Sequence, residues 1–319
     1  MTVQREGAKV SIVGAGAVGS SLAYAALMAG VARRVVLQDV NEAKVHAEAL
    51  DLAHGSQFFP EASIQGSSDV AATEGSDVVV VTAGAKQKPG QTRLDLAEST
   101  VRLMTKVIPP LVERSPDAVF LLVTNPVDVT TQVALDISGL PPERVIGSGT
   151  VLDSSRLRQL LAAECDVAVS NVHAYVCGEH GDTEIPLWTS SSIGGVPLLD
   201  WERATGRLGA AKRDEIASRV VNAAYEVIAG KGATNYAIGL AGTRILQAIL
   251  RDEHAVLPVS RQLDGWYGMS GMCMSVPTVV SASGAGRQLE LPLSDDELAA
   301  LRASAATIQE TVERLERAL

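Results

Sequence analysis

Short apolar runs recur along the first half of the chain, each followed by a longer stretch in which apolar residues return every three or four positions. The strands predicted on this pattern are Lys9–Val13, Val35–Asp39, Asp77–Thr82, Ala118–Thr124 and Arg144–Ile146. Between the first two lies Ala17–Ala29, rich in Ala and Leu. Between the second and third, Glu42–Leu52 places Val45, Ala49 and Leu52 at helical spacing. Strand and helix alternating in this way predict a parallel sheet with right-handed crossovers. Pro109–Pro110 is expected to kink or end a helix, and Pro141–Pro142 to open a loop.

The second half is patterned differently. His173–Val176 reads as a strand and Gly194–Gly195 as a hairpin turn. Lys212–Ala229 and Ala237–Leu250 read as helices, while His254–Arg261 and Cys273–Ser281 alternate like antiparallel strands. Ser294 and Glu297 are spaced as a capping box at the head of a last helix. The expected architecture is α/β: a doubly wound parallel sheet over residues 1–147, then an α+β domain with mixed sheets over 148–319, divided near Gly147.

Composition narrows the function. At 319 residues the chain exceeds what one core comfortably serves. Its 46% hydrophobic and 20% charged residues are an ordinary globular balance, but aromatics reach only 3%. Core volume must come from Val, Leu, Ile and Ala, which suits strands buried between helices. The net charge is −10 and no run of Lys or Arg exceeds two residues, so the basic footprint of nucleic-acid binding is missing. No stretch approaches the roughly 20 apolar residues of a membrane span, and Thr2–Ala8 lacks a signal-peptide pattern. Three cysteines without metal-ligand spacing point to a reducing, cytoplasmic location and no metal.

Gly14-Ala15-Gly16-Ala17-Val18-Gly19 follows an apolar strand and opens a helix. Gly14 permits the tight turn, Gly16 lets a pyrophosphate approach the backbone, and Gly19 lets the helix pack close to the sheet. Asp39 stands twenty positions past Gly19 at the end of the next strand. It either accepts hydrogen bonds from an adenosine ribose and repels the extra phosphate of NADP, or is simply an exposed Asp at a strand end. Thr82-Ala83-Gly84 ends a later strand with small residues that leave space for adenine and ribose. The unit is that of a Rossmann domain, and NAD is the expected cofactor.

His180 lies between Gly178 and Gly181 just past a strand, a placement that presents an imidazole at a cleft or simply at a surface turn. Asp153 and Arg156 sit at i, i+3 on one face of a predicted helix. A buried Asp raises the pKa of a neighbouring His, and an Arg can hold a carboxylate by two parallel hydrogen bonds. Read alone, the pair is also compatible with a helix cap and a surface salt bridge. Ala85–Arg93 is a polar loop that either is a surface loop or closes over a substrate and delivers Arg93 to a carbonyl. Cys177 has no activating base at catalytic spacing and reads as a small buried residue.

With Asn125-Pro126-Val127-Asp128, Gly147-Ser148-Gly149-Thr150, Leu152-Asp153 and Gly178-Glu179-His180-Gly181-Asp182 in this order, the chain resembles the L-lactate/L-malate dehydrogenase family from Lys9 to the last helix. The resemblance implies that His180, paired with Asp153, donates the proton, that Arg156 clamps the substrate carboxylate and that Arg93 polarises the reacting bond. It further implies that Asn125 contacts substrate and nicotinamide, that Thr234 lines the pocket, and that Val18, Lys44, Gly84, Ala85 and Ser148 join the cofactor site. Malate dehydrogenases carry Arg at the position of Gln87, so a neutral Gln there favours pyruvate and lactate over a dicarboxylate. Arg158 and His173 match the positions at which bacterial family members activated by fructose 1,6-bisphosphate bind that effector. The family also implies a homotetramer. Thr100 stands where relatives usually have Asn. A malate or other 2-keto-acid enzyme of the same fold is the nearest alternative. A non-catalytic NAD sensor would have no use for His180, Asp153, Arg156 and Arg93 together.

Overall fold

The computed structural model describes residues 7–85 and 93–316, the side chains of 93–95 and 316 excepted. Strand β1 (Lys9–Val13), helix α1 (Ala17–Met28), β2 (Arg34–Gln38), α2 (Glu42–His54) and β3 (Ser63–Ser67) build one wing. Then β4 (Val78–Val81), α3 (Arg93–Arg114), β5 (Val119–Leu122), α4 (Val127–Ser138) and β6 (Val145–Gly147) build the other. These six strands pair in parallel in the order β6-β5-β4-β1-β2-β3. The chain reverses its direction of travel between β1 and β4, and such a switch point leaves a crevice at the strands' C-terminal ends.

Side chains alternate across this sheet with a period of two. Val78, Val80 and Leu121 join Val10, Ile12 and Leu22 in the core on one face. Val79, Val81, Phe120 and Leu122 pack with Met104, Ile108 and Leu111 of α3 on the other. Two-sided burial explains the unbroken apolar runs of these strands.

Helix α5 (Val151–Cys165) opens the second half, followed by β7 (Val172–His173), β8 (Val176–Cys177) and β9 (Ile185–Pro186). The stretch expected as one strand, His173–Val176, is divided. β7 pairs with β10 (Ser192–Ile193), whereas β8 pairs with β9, so the chain changes partners at Ala174–Tyr175. β10 meets β11 (Val196–Pro197) through Gly194 and Gly195, both at positive φ, as a two-residue hairpin requires. Helices α6 (Leu198–Thr205), α7 (Ala210–Lys231) and α8 (Tyr236–Leu250) follow.

Strands β12 (Ala255–Gln262), β13 (Cys273–Ser281) and β14 (Gly284–Gln288) do not form a sheet of their own. They extend the parallel sheet antiparallel from β6, joined at Ser260↔Gly147. α8 packs across α1, where Gly239 and Gly242 let the helices approach at Ser21 and Leu22. The last helix, α9 (Asp295–Glu316), carries the expected capping box: Ser294 N–H donates to Glu297 at 2.8 Å and Glu297 N–H to Ser294 Oγ at 3.2 Å.

Two further differences from the sequence pattern have physical reasons. Of the two outcomes expected at Pro109–Pro110, a kink or an end, the helix does not end: α3 runs through both prolines. The carbonyls deprived of a donor belong to Thr105 and Lys106 on the exposed side, while buried Ile108 and Leu111 anchor the helix. β3 has the sequence SIQGS and is half exposed, so it offers no apolar run to detect.

Candidate active site

The glycine-rich turn joins β1 to α1. Gly14 has φ +103°, and a Cβ there would come within 2.7 Å of Ala83 N. A Cβ on Gly19 would collide with the Gly14 carbonyl oxygen. At Gly16 a Cβ would meet nothing within 4 Å: the backbone there faces open space. No side chain caps the start of α1 and no acid occupies its first turn, so its leading N–H groups remain available to an anion. Asp39, half-buried just past β2, accepts the Ala15 N–H at 2.8 Å and the Asn41 N–H at 2.9 Å. These features fit a dinucleotide: open backbone donors for the pyrophosphate, and a carboxylate beside them for the ribose.

The other residues expected at the cofactor site are placed as follows. Val18 is the second residue of α1. Gly84 and Ala85 follow β4, where Thr82 and Thr124 hydroxyls tie the strand ends to the Gly14 and Ala83 carbonyls at 2.9 and 2.8 Å. Asn125 is exposed past β5, and Ser148 N–H extends the ladder to Leu122 O at 2.7 Å. Lys44 lies in the first turn of α2, exposed, its backbone N–H taken by Asn41 Oδ1. Thr234 is half-buried in the connection between α7 and α8. Gln87 falls outside the described residues, as does the side chain of Arg93, whose backbone begins α3. Thr100 is buried within α3.

His180, Asp153 and Arg156 are brought together across 27 positions of sequence. His180 Nδ1 lies 2.7 Å from Asp153 Oδ2, and Arg156 donates to Asp153 Oδ1 at 2.5 Å. Asp153 is 1% exposed, whereas His180 keeps 23% of its side chain accessible, so the imidazole faces out from a buried carboxylate. The i, i+3 spacing on α5 brings Arg156 to the carboxylate's second oxygen. A cleft of about 290 Å³ lined by Arg156, Gln159, Ser218, Arg219 and Asn222 opens between α5 and α7.

The electrostatics follow from this packing. Burial alone lowers the imidazole's pKa. The charge and hydrogen bond of Asp153, then the charges of Glu184 and Asp128, outweigh it and raise His180 to about 9. Burial pushes Asp153 up, yet the charge and hydrogen bond of His180, then Arg156, hold it below the ordinary carboxylate range. The imidazole is thus charged at neutral pH.

Two acids near His180 escaped the sequence reading. Asp128 in the first turn of α4 accepts the His180 backbone N–H at 2.7 Å and the Ser275 hydroxyl at 3.2 Å. It ties the Asn125–Asp128 segment to the histidine turn. Glu184 lies 4.0 Å from His180 Nδ1 with its side chain 4% exposed. Asp128 stood inside a motif without a role, and Glu184 is an acid in the turn four residues past His180. Cys177 is fully buried and burial pushes its thiol up, so it is no nucleophile.

Arg158, two residues beyond Arg156, turns the other way. Its Nε donates to Ala174 O at 2.9 Å and its guanidinium lies 5.1 Å from the Tyr175 ring centroid, beside exposed His173. Among the described residues, no helix is long and apolar enough to cross a membrane.

Residues 8–147 match the NAD binding domain of the lactate/malate dehydrogenases, and residues 150–318 match their alpha/beta C-terminal domain. The chain is 53% identical over 305 residues to an L-lactate dehydrogenase of Bifidobacterium animalis subsp. lactis, covering 95% of each chain. It is 43% identical to one from Thermoanaerobacter sp. over 97% of this chain and 99% of that one. The crystal structure of a minor L-lactate dehydrogenase from Enterococcus mundtii in its ligands-bound form superposes with a TM-score of 0.94 at 38% identity, over 97% and 99% of the two chains. With crevice, histidine pair and both domains matched, this chain belongs to the lactate/malate dehydrogenase family and is an NAD-dependent oxidoreductase.

Proposed function

We propose that the chain interconverts pyruvate and L-lactate with NADH and NAD. The observation that carries this is the His180–Asp153–Arg156 cluster, at 2.7 and 2.5 Å, which joins a charged proton donor to a carboxylate-binding cation on one buried Asp. NADH, when bound, supplies the hydride. His180, as imidazolium, donates its Nε2 proton to the carbonyl oxygen, while Nδ1 stays on Asp153 and fixes the ring. Arg156 holds the substrate carboxylate and Arg93 polarises the carbonyl. Asn125 and Thr234 orient the substrate, and Gln87 selects for it. Gly14, Gly16, Val18, Gly19, Asp39, Lys44, Gly84, Ala85 and Ser148 hold the cofactor.

On this reading residues 1–147 bind cofactor and 148–319 bind substrate. The subunit forms a cytoplasmic homotetramer in which Arg158 and His173 bind fructose 1,6-bisphosphate. The support for the effector site is Arg158's bond to the carbonyl next to His173. NADH oxidation with pyruvate, oxaloacetate and 2-ketoisocaproate tests the substrate. The highest kcat/KM is expected with pyruvate, and a higher value with oxaloacetate overturns the assignment. Gln87→Arg adds a cation toward a second carboxylate and should favour oxaloacetate by about 1.5–3 kcal/mol. An unchanged ratio of kcat/KM removes Gln87 from that role.

A further inference from the structure

Three carboxyl groups face His180: Asp153 from α5, Asp128 from α4 and Glu184 from its own turn. Asp153 accepts from His180 and Arg156, and Asp128 from the His180 N–H and Ser275. Among the described residues, no hydrogen-bond donor reaches the carboxyl of Glu184, although that side chain is 4% exposed. One oxygen each of Asp153 and Glu184, with an imidazole nitrogen of His180, lie within 4.8 Å of one another. Three ionised carboxylates against His180 and Arg156 would leave one surplus buried negative charge, which surroundings of low dielectric disfavour strongly. Burial pushes Asp128 up as well, but the His180 N–H and the Ser275 hydroxyl donate to it, so a proton on Glu184, which no donor among the described residues reaches, is what removes the surplus.

Resting on the assignment of His180 as proton donor, we propose that Glu184 is a positioning residue for proton transfer: it is neutral at pH 7, ionises only in alkali, and then holds the proton on His180. The other acids nearby are otherwise engaged. Glu179 accepts from Thr183, Asp182 from Tyr225 on α7, and Glu297 of α9 from Thr189 N–H. The direction of the Glu184 shift agrees: burial first, then the negative charge of Asp153, raise it against His180 and Arg156. As the medium becomes alkaline, Glu184 gives its proton to solvent. The new charge 4.0 Å from Nδ1 opposes loss of the His180 proton, so the two groups titrate as a pair.

The test is the pH dependence of kcat/KM for pyruvate from pH 6 to 10 in wild type, Glu184→Gln and Glu184→Asp. In Glu184→Gln the alkaline limb should move to lower pH by about one unit, the low end for an opposite charge within 4–6 Å. Glu184→Asp should return it toward wild type. The limb's position is the readout, whatever the plateau's height. Superimposable limbs overturn the proposal. Should Glu184→Gln fold poorly, infrared spectra of the wild type and Glu184→Asp decide. A protonated carboxyl band at pH 7 that vanishes in alkali and is displaced in Glu184→Asp supports the proposal, and a spectrum in which Glu184→Asp leaves every such band unmoved overturns it. His180→Gln serves as the separate control. If it retains turnover, the assignment of His180 is wrong, whereas coincident limbs with an inactive His180→Gln sink only the role of Glu184.

Discussion

His180 shows how one side chain acquires a function from its neighbours. A lone imidazole titrates near 6.5, where at pH 7 most molecules lack the proton that carbonyl reduction needs. Here Asp153 raises it to about 9 despite burial. Pyruvate reduction should therefore hold its rate through neutral pH and fall as pH passes about 9, while lactate oxidation, which needs the neutral ring, rises toward that pH. The stability linkage has the same sign. The folded pKa lies above the unfolded one, so the stabilisation is complete below about 6.5 and is lost as pH rises through the folded value. His180→Gln should lower kcat by about 10²–10⁴-fold, the usual worth of a general acid. Asp153→Asn should move the alkaline limb of reduction to lower pH. A limb unmoved in that variant would show that Asp153 does not set the histidine's charge.

At the scale of elements, the β1–α1 turn and α5 each do two jobs. The turn brings helix N–H groups toward the anion crevice and packs α1 against the sheet, and both depend on the contact of Gly19 with the Gly14 carbonyl. Gly19→Ala puts a methyl group onto that oxygen. It should cost about 1–3 kcal/mol of stability and weaken NADH binding together. Urea unfolding and NADH fluorescence titration check this, and a variant unchanged in both would mean that the turn relaxes freely. α5 carries Asp153 and Arg156 toward the histidine and Arg158 toward Ala174 O. One rigid helix thereby touches the chemistry and the proposed effector residues.

For the whole molecule, that shared helix offers a route for regulation. On the proposed effector reading, a rotation or slide of α5 induced at Arg158 and His173 would carry Arg156, two positions away on the same helix, toward the substrate carboxylate. Fructose 1,6-bisphosphate should lower the KM for pyruvate by about 5–150-fold, the range of typical coupling energies. Arg158→Gln should abolish the effect and leave the rate at saturating pyruvate largely intact. Identical pyruvate curves with and without millimolar effector would dismiss the effector site without touching the catalytic reading. The two halves are mechanically joined, since β12–β14 extend the parallel sheet and α8 lies across α1.

Local pattern was enough for whatever is decided within a few residues. The apolar runs of β1, β4 and β5 announce burial on both faces, and the spacing of Gly14, Gly16 and Gly19 states the turn's steric needs. The i, i+3 pair on α5, the Gly194–Gly195 hairpin and the Ser294 cap were also legible, because helix, turn and cap geometry relate near neighbours. What the fold alone decided are contacts between distant segments. Asp128 meets the His180 N–H across 52 positions, and β12 chooses β6 as its partner by packing, with no mark in either strand. β3 is a strand only because β2 offers it an edge, since its own residues are polar and half exposed. Glu184 reads as an ordinary acid in a polar turn. Only the tertiary structure buries it beside Asp153 and His180, with no donor reaching it among the described residues, because desolvation and charge proximity are properties of the packed chain.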